Sequence, residues 1–151
     1  MGSREAIQRD GKVYLSRRYK FAAAHRLYSD KLSQEENERV FGKCANPQGH
    51  GHNYELVVTV AGPVDSLTGM CIDLSRLDDA VKGYILDRYD HRHLNLDVED
   101  FLETVPTGEN IARQIWSLLE PVLGGERLYR IKLVETRDNY FEYYGDHEAS
   151  I

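Results

Sequence analysis

From Val13 to Leu27 the chain alternates between apolar and polar residues, and a period of two residues dictates a β-strand. Val13, Leu15, Tyr19, Phe21, Ala23, His25 and Leu27 fall on one face, with Arg17 the exception. Tyr14, Ser16, Arg18, Lys20, Ala22, Ala24 and Arg26 fall on the other. His25 therefore shares a face with apolar residues. An imidazole there must be satisfied by hydrogen bonds or by a metal, because a dry, unpaired polar group costs roughly 1–3 kcal/mol.

A second stretch, Gly42 to Tyr54, holds Cys44, His50 and His52. Pro47 and the glycines around it read as a loop, and Tyr54 to Val60 is β-branched, aromatic and apolar, as a strand requires. His50 and His52 are two apart, so in an extended segment both leave the same face. If this strand pairs with the first, His25 approaches them. Three neutral imidazoles with an open fourth position are the pattern of catalytic zinc. Two other readings stay open: Cys44 closes the site as a fourth, structural ligand, or His25 is a satisfied core histidine and the pair lies idle on the surface.

With 151 residues the chain is read as one domain over 13–151 behind a disordered leader, Met1 to Lys12. Its net charge of −6 argues against a nucleic-acid or membrane-surface partner, and the absence of a long apolar run or signal pattern makes cytoplasmic the expectation. A disulfide between the two cysteines is not expected there; Cys71, in an apolar context, reads as a buried small hydrophobe.

Ser29 to Arg39 reads as an excursion or short helix. Asp73 caps a helix running to about Tyr89, with Leu74, Leu77, Val81, Ile85 and Tyr89 as its core stripe. It ends at Asp90-His91, which serves either as a carboxylate orienting a proton carrier or as a histidine favoured by the helix dipole. His93 reads as surface, and Asp97 to Glu103 as a solvated acidic loop. Thr107 caps a second helix with Glu109 in its first turn; Pro121 and Gly124-Gly125 end it. In the strand Leu128 to Glu135, Tyr129, Ile131, Leu133 and Glu135 share a face, and Tyr140 to Tyr144 follows after a turn. The order strand, strand, helix, helix, strand, strand is α+β: a four-stranded antiparallel sheet with two helices on one face. Its uncovered face and edges favour assembly.

These motifs together resemble the 6-pyruvoyl-tetrahydropterin synthases and their relatives the 6-carboxy-tetrahydropterin synthases, from about Tyr19 to Gly145. The resemblance rests on Phe21-Ala-Ala-Ala-His25-Arg-Leu, Cys44-x5-His50-Gly-His52-Asn, Thr68-Gly69-Met70, Asp90-His91-Arg92-His93-Leu94-Asn95, Pro106-Thr107-Gly108-Glu109-Asn110 and Glu135-Thr136. Five residues between Cys44 and His50, with Leu32-Ser33 and Val40 to Cys44 upstream, look like the animal-type pyruvoyl enzymes. Gly108 stands where those enzymes usually carry a second threonine.

The resemblance implies a tunnelling fold whose sheets join edge to edge into a barrel, generally a homohexamer of two stacked trimers. It implies zinc on His25, His50 and His52, Cys44 as a base assisted by Asp90 and His91, and a pterin held by Glu135 with Thr107 and Glu109 in the pocket. The implied reaction converts 7,8-dihydroneopterin triphosphate to 6-pyruvoyl-tetrahydropterin with loss of triphosphate. A nearby metal and Lys43 are expected to make the Cys44 thiol ionise more easily than usual. The competing readings are the carboxy enzyme of deazapurine biosynthesis, zinc hydrolysis and a non-catalytic zinc-binding module.

Overall fold

A computed structural model describes residues 11–124 and 127–146. Residues 1–10 of the expected leader lie outside the described residues, whereas Lys12 opens β1 (Lys12–His25). β1 pairs antiparallel with β2 (His50–Pro63) from Lys12 opposite Pro63 to His25 opposite His50. With β3 (Arg92–His93), β4 (Leu128–Val134) and β5 (Tyr140–Tyr143) they form one sheet in the order β3-β1-β2-β4-β5. The four long strands are antiparallel, as read. The fifth, β3, was not foreseen: it adds in parallel to the end of β1, Ala23 opposite Arg92, and two residues carry no periodicity by which to announce it.

Asp73 caps α2 (Leu74–Val81), its side chain accepting from Ser75 N–H, and the helix continues through a π turn, Lys82–Leu86, into α3 (Asp87–Tyr89). Before it in the chain lies α1 (Gln34–Phe41), capped by Ser33. After it come α4 (Leu94–Asp97) and the long α5 (Gly108–Leu123), capped by Thr107. Leu77, Val81, Ile85 and Tyr89, spaced four apart, are fully buried and pack with Ile111, Ile115 and Leu119 of α5 against Phe21, Leu56, Val58 and Ile131 of the sheet. Arg17, the odd residue of the apolar face, explains itself here: it donates to Asp78 of α2 at 2.7 and 3.1 Å, and the Tyr19 hydroxyl donates to the same carboxylate at 2.7 Å.

Three local expectations need correction. Tyr129 is exposed while Leu128 and Ile131 are buried, because a bulge sets Val60 opposite Leu128 and Thr59 opposite Arg130 and so breaks the alternation. Pro121 does not end α5, which runs to Leu123 before Gly124 turns away; the carbonyl that lacks its usual donor belongs to Ser117, an exposed residue. Between Asp97 and Glu103 the chain is anchored, with Val98 and Phe101 in the core and Asp100 gripping Arg88 through two 2.6 Å hydrogen bonds and accepting from the Tyr89 hydroxyl at 3.0 Å.

Burial pushes the Asp100 carboxyl up, but the donors Arg88 and Tyr89 outweigh it and hold it below the usual range. A depressed native value means that the carboxylate stabilises the fold above its unfolded value near about pH 4 and that this contribution is lost as pH falls through the lowered native value. Asp100→Asn is therefore expected to lower stability at pH 7 by about 2 kcal/mol in urea denaturation and to flatten the acid side of the stability profile. An acid limb identical to that of the unaltered chain contradicts this.

No helix among the described residues is long and apolar enough to cross a membrane.

Candidate active site

At one end of the sheet, on the helix-covered face, β1 ends at His25 and β2 begins at His50, directly opposite. The alternation that buries Phe21 and Ala23 carries His25 inward, and the same period sends His50, His52 and Tyr54 inward from β2. Gly49 makes the approach feasible. Its φ of +71° favours glycine, and a Cβ there would lie 2.8 Å from the His25 carbonyl oxygen.

The three imidazoles converge. His25 Nε2 lies 3.1 Å from His50 Nε2, and one ligating nitrogen from each of His25, His50 and His52 falls within 4.8 Å of the others. Two nitrogens held about 2.0–2.1 Å from a small tetrahedral ion are themselves roughly 3.3 Å apart, so the spacing suits a shared metal. His25 is fully buried and its Nδ1–H donates to the Pro106 carbonyl at 2.8 Å, which turns Nε2 and its lone pair toward the other rings. His52 Nε2 is buried without a hydrogen-bond partner; Glu135, its nearest carboxylate, is 3.9 Å away. A metal ion held by the three rings would satisfy that orphaned atom. Burial pushes the His25 pKa down to about 4 and lowers those of His50 and His52, so all three rings are neutral near pH 7, the form that ligates.

Cys44 sits in the 3₁₀ turn Gly42–Ala45, which follows α1 and is tied to the end of β1 by Leu27 N–H donating to the Cys44 carbonyl at 2.8 Å. The turn is itself positioned by α1, whose buried Asn37 bonds Ser29, Leu32 and Ser33 and so fixes the excursion from β1. Among the described residues the metal-ligating cluster contains the three histidines and not Cys44. In the metal-free protein burial and then the Glu135 carboxylate push the thiol's pKa up, so protein groups alone do not supply the easier ionisation expected beside a metal.

Glu135 follows β4 on the core side, beside Tyr54 across the ladder, its backbone N–H donating to Asn139 O at 3.0 Å. Burial raises its pKa, the nearby His50 draws it back and Glu109 adds to the rise. The Thr107 hydroxyl caps α5 by accepting from Asn110 N–H at 3.2 Å, and Glu109 is exposed, near enough to Glu135 to act on its charge. Asp90 and His91 lie apart, on the outer edge of β1. Ala22 N–H donates to Asp90 at 2.9 Å, His91 N–H donates to Ala22 O at 2.6 Å, and His91 Nδ1 lies 3.0 Å from Asp90 Oδ1. His91 holds a left-handed φ of +61°, a strain of about 1 kcal/mol or more, and its ring is 83% exposed.

Three contributors escaped the sequence reading. Tyr54, whose hydroxyl is 3.3 Å from His25 Nδ1, was readable from the same two-residue period as His50 and His52. The Pro106 carbonyl is backbone and carries no sequence signal. His93 is not the surface residue expected, since β3 pairs it with Ala24, its Nδ1 is buried without a partner and its Nε2 crowds Gly49.

Over residues 14–146 the chain matches the family model described as 6-pyruvoyl tetrahydropterin synthase. It is 48% identical to the 6-pyruvoyl tetrahydrobiopterin synthase of Pongo abelii over 135 residues, 89% of this chain and 93% of the relative. Identity to the Homo sapiens protein of the same name is 46% over 144 residues, 95% of this chain and 99% of the relative. The solved structure of Caenorhabditis elegans 6-pyruvoyl tetrahydropterin synthase is similar at a TM-score of 0.86 and 44% identity, covering 89% of this chain and 96% of that one.

Proposed function

The chain belongs to the 6-pyruvoyl tetrahydropterin synthase family, and on that premise we propose that its three-imidazole site holds zinc and acts on 7,8-dihydroneopterin triphosphate. Its reaction is the lyase step that forms 6-pyruvoyl-tetrahydropterin. The observation that carries the reading of the site is the convergence of three neutral imidazole nitrogens on one point, with His52 Nε2 left unpartnered and the Cys44 sulfur outside the cluster.

Zinc held by His25, His50 and His52 would supply Lewis acidity and a positive charge opposing the burial and Glu135 effects on the Cys44 thiol. The chain's own residues do the rest. Cys44 Sγ takes a side-chain proton. Glu135 accepts two parallel N–H donors from the edge of the pterin, with Thr107 and Glu109 bounding the pocket. Asp90 fixes the tautomer of His91, which passes protons to and from the thiol. The exposure of His91 on the outer edge of β1 favours its serving a neighbouring copy. Beyond Ala24 and Ala23 that edge has no strand partner among the described residues, and neither does the outer edge of β5. Both suit closure of sheets into a barrel, as a hexamer of two trimers working in the cytoplasm.

Incubating the zinc-loaded protein with 7,8-dihydroneopterin triphosphate tests this. Pyruvoyl-pterin with free triphosphate is the expected outcome; acetaldehyde supports the carboxy reaction instead, and no consumption supports a non-catalytic module. Glu135→Gln tests the anchor separately. The amide replaces one acceptor by a donor facing the pterin's own donors, so KM is expected to rise on the order of 10- to 100-fold at unchanged zinc content. An unchanged KM removes Glu135 from the pterin site.

A further inference from the structure

We propose that the Phe141 ring is a substrate-positioning wall of the pterin pocket, and that Gly108 is glycine in order to seat it; this rests on the pterin reading above. Gly108 is buried as the first residue of α5, and its backbone is not in the left-handed region, so conformation does not demand a glycine. Space does. A Cβ at Gly108 would lie 2.0 Å from Phe141 Cε2, 2.3 Å from Cδ2 and 2.5 Å from Cζ, so the edge of the ring fills the volume that any other side chain would need.

The ladder places this aromatic residue on the same face as Glu135, one same-face pair along the hairpin. Phe141 sits opposite Leu133 in the β4–β5 ladder and shares its face; two residues further along β4 the same face arrives at Glu135. Thr107 and Glu109 flank Gly108 in the chain, and Glu109 is near enough to Glu135 to raise its pKa. Phe141 packs against the core yet remains only partly buried, at the end of the sheet where the same face reaches Glu135. A flat heteroaromatic ligand held at its edge by a carboxylate is fixed in orientation only when a face is also held. An aromatic side chain does this through offset or edge contacts, an effect on the order of tenfold in affinity.

The test uses the zinc-loaded full chain with neopterin binding followed by fluorescence, KM and kcat for the triphosphate substrate, and melting temperature as a control for folding. Phe141→Tyr keeps the ring and is expected to bind within about twofold of the unaltered chain, whereas Phe141→Leu is expected to raise both Kd and KM about tenfold with kcat nearly unchanged. Phe141→Met serves the same comparison should the leucine variant melt below the assay temperature. Gly108→Ala should weaken binding similarly when Phe141 is present and add nothing to Phe141→Leu, since both act on one ring. Neopterin binding indifferent to Phe141→Leu, or losses at 108 and 141 that multiply, overturn this proposal alone. Failure of the unaltered chain to bind neopterin overturns the pterin reading with it.

Discussion

Alanine at position 25 is expected to abolish stoichiometric zinc binding and to lower turnover by about three orders of magnitude or more. His25 is the buried member of the cluster and the one whose second nitrogen is fixed, by Pro106, so its loss removes a ligand and the orientation of the site together. The substitution also empties a buried position and leaves the Pro106 carbonyl without its donor, so some loss of stability accompanies it. His50→Ala separates the two effects. His50 is only partly buried, so that variant should melt near the unaltered chain while losing metal to a comparable extent. Zinc measured by elemental analysis after dialysis decides the matter: a full equivalent retained by both variants means the metal is held elsewhere.

Cys44→Ala is expected to do the opposite to the metal and the same to the chemistry. Zinc stays at one equivalent, KM changes little and kcat falls by a factor on the order of 10²–10⁴, the usual contribution of a positioned proton carrier. This follows from Cys44 lying outside the histidine cluster but close enough to Glu135 to feel its charge. The raised thiol sharpens the expectation. In the metal-free protein, burial and Glu135 disfavour the thiolate, so adding zinc should make Cys44 alkylate with iodoacetamide at a lower pH than in the apo chain. A variant that loses its zinc along with its activity makes Cys44 a ligand and removes the base assignment.

The sequence made the framework of the site readable because its determinants are local. A two-residue period in β1 and β2 placed His25, His50 and His52 on one face, and both long helices begin at the side chains expected, Asp73 and Thr107. What escaped depends on contacts distant along the chain. The bulge that exposes Tyr129 is set by the register against β2, and the burial of Phe101 by its packing on Tyr89. The upward shift of Cys44 comes from burial by the folded chain and then from Glu135, ninety-one positions later in the sequence. Gly108 reads as a bare helix start until Phe141 is seen filling the space beside it. Asp90 and His91 were recognised as a pair, but their place on an outer strand edge, clamped to both polar groups of Ala22, needed the sheet order.

X-ray absorption at the zinc edge of the loaded, substrate-free protein probes the coordination directly. The expected spectrum contains three imidazole nitrogens and a light oxygen or nitrogen atom at about 2.0–2.1 Å, with no sulfur shell. A scatterer at about 2.3 Å, the zinc–sulfur distance, would put Cys44 on the metal and contradict its role as the free base.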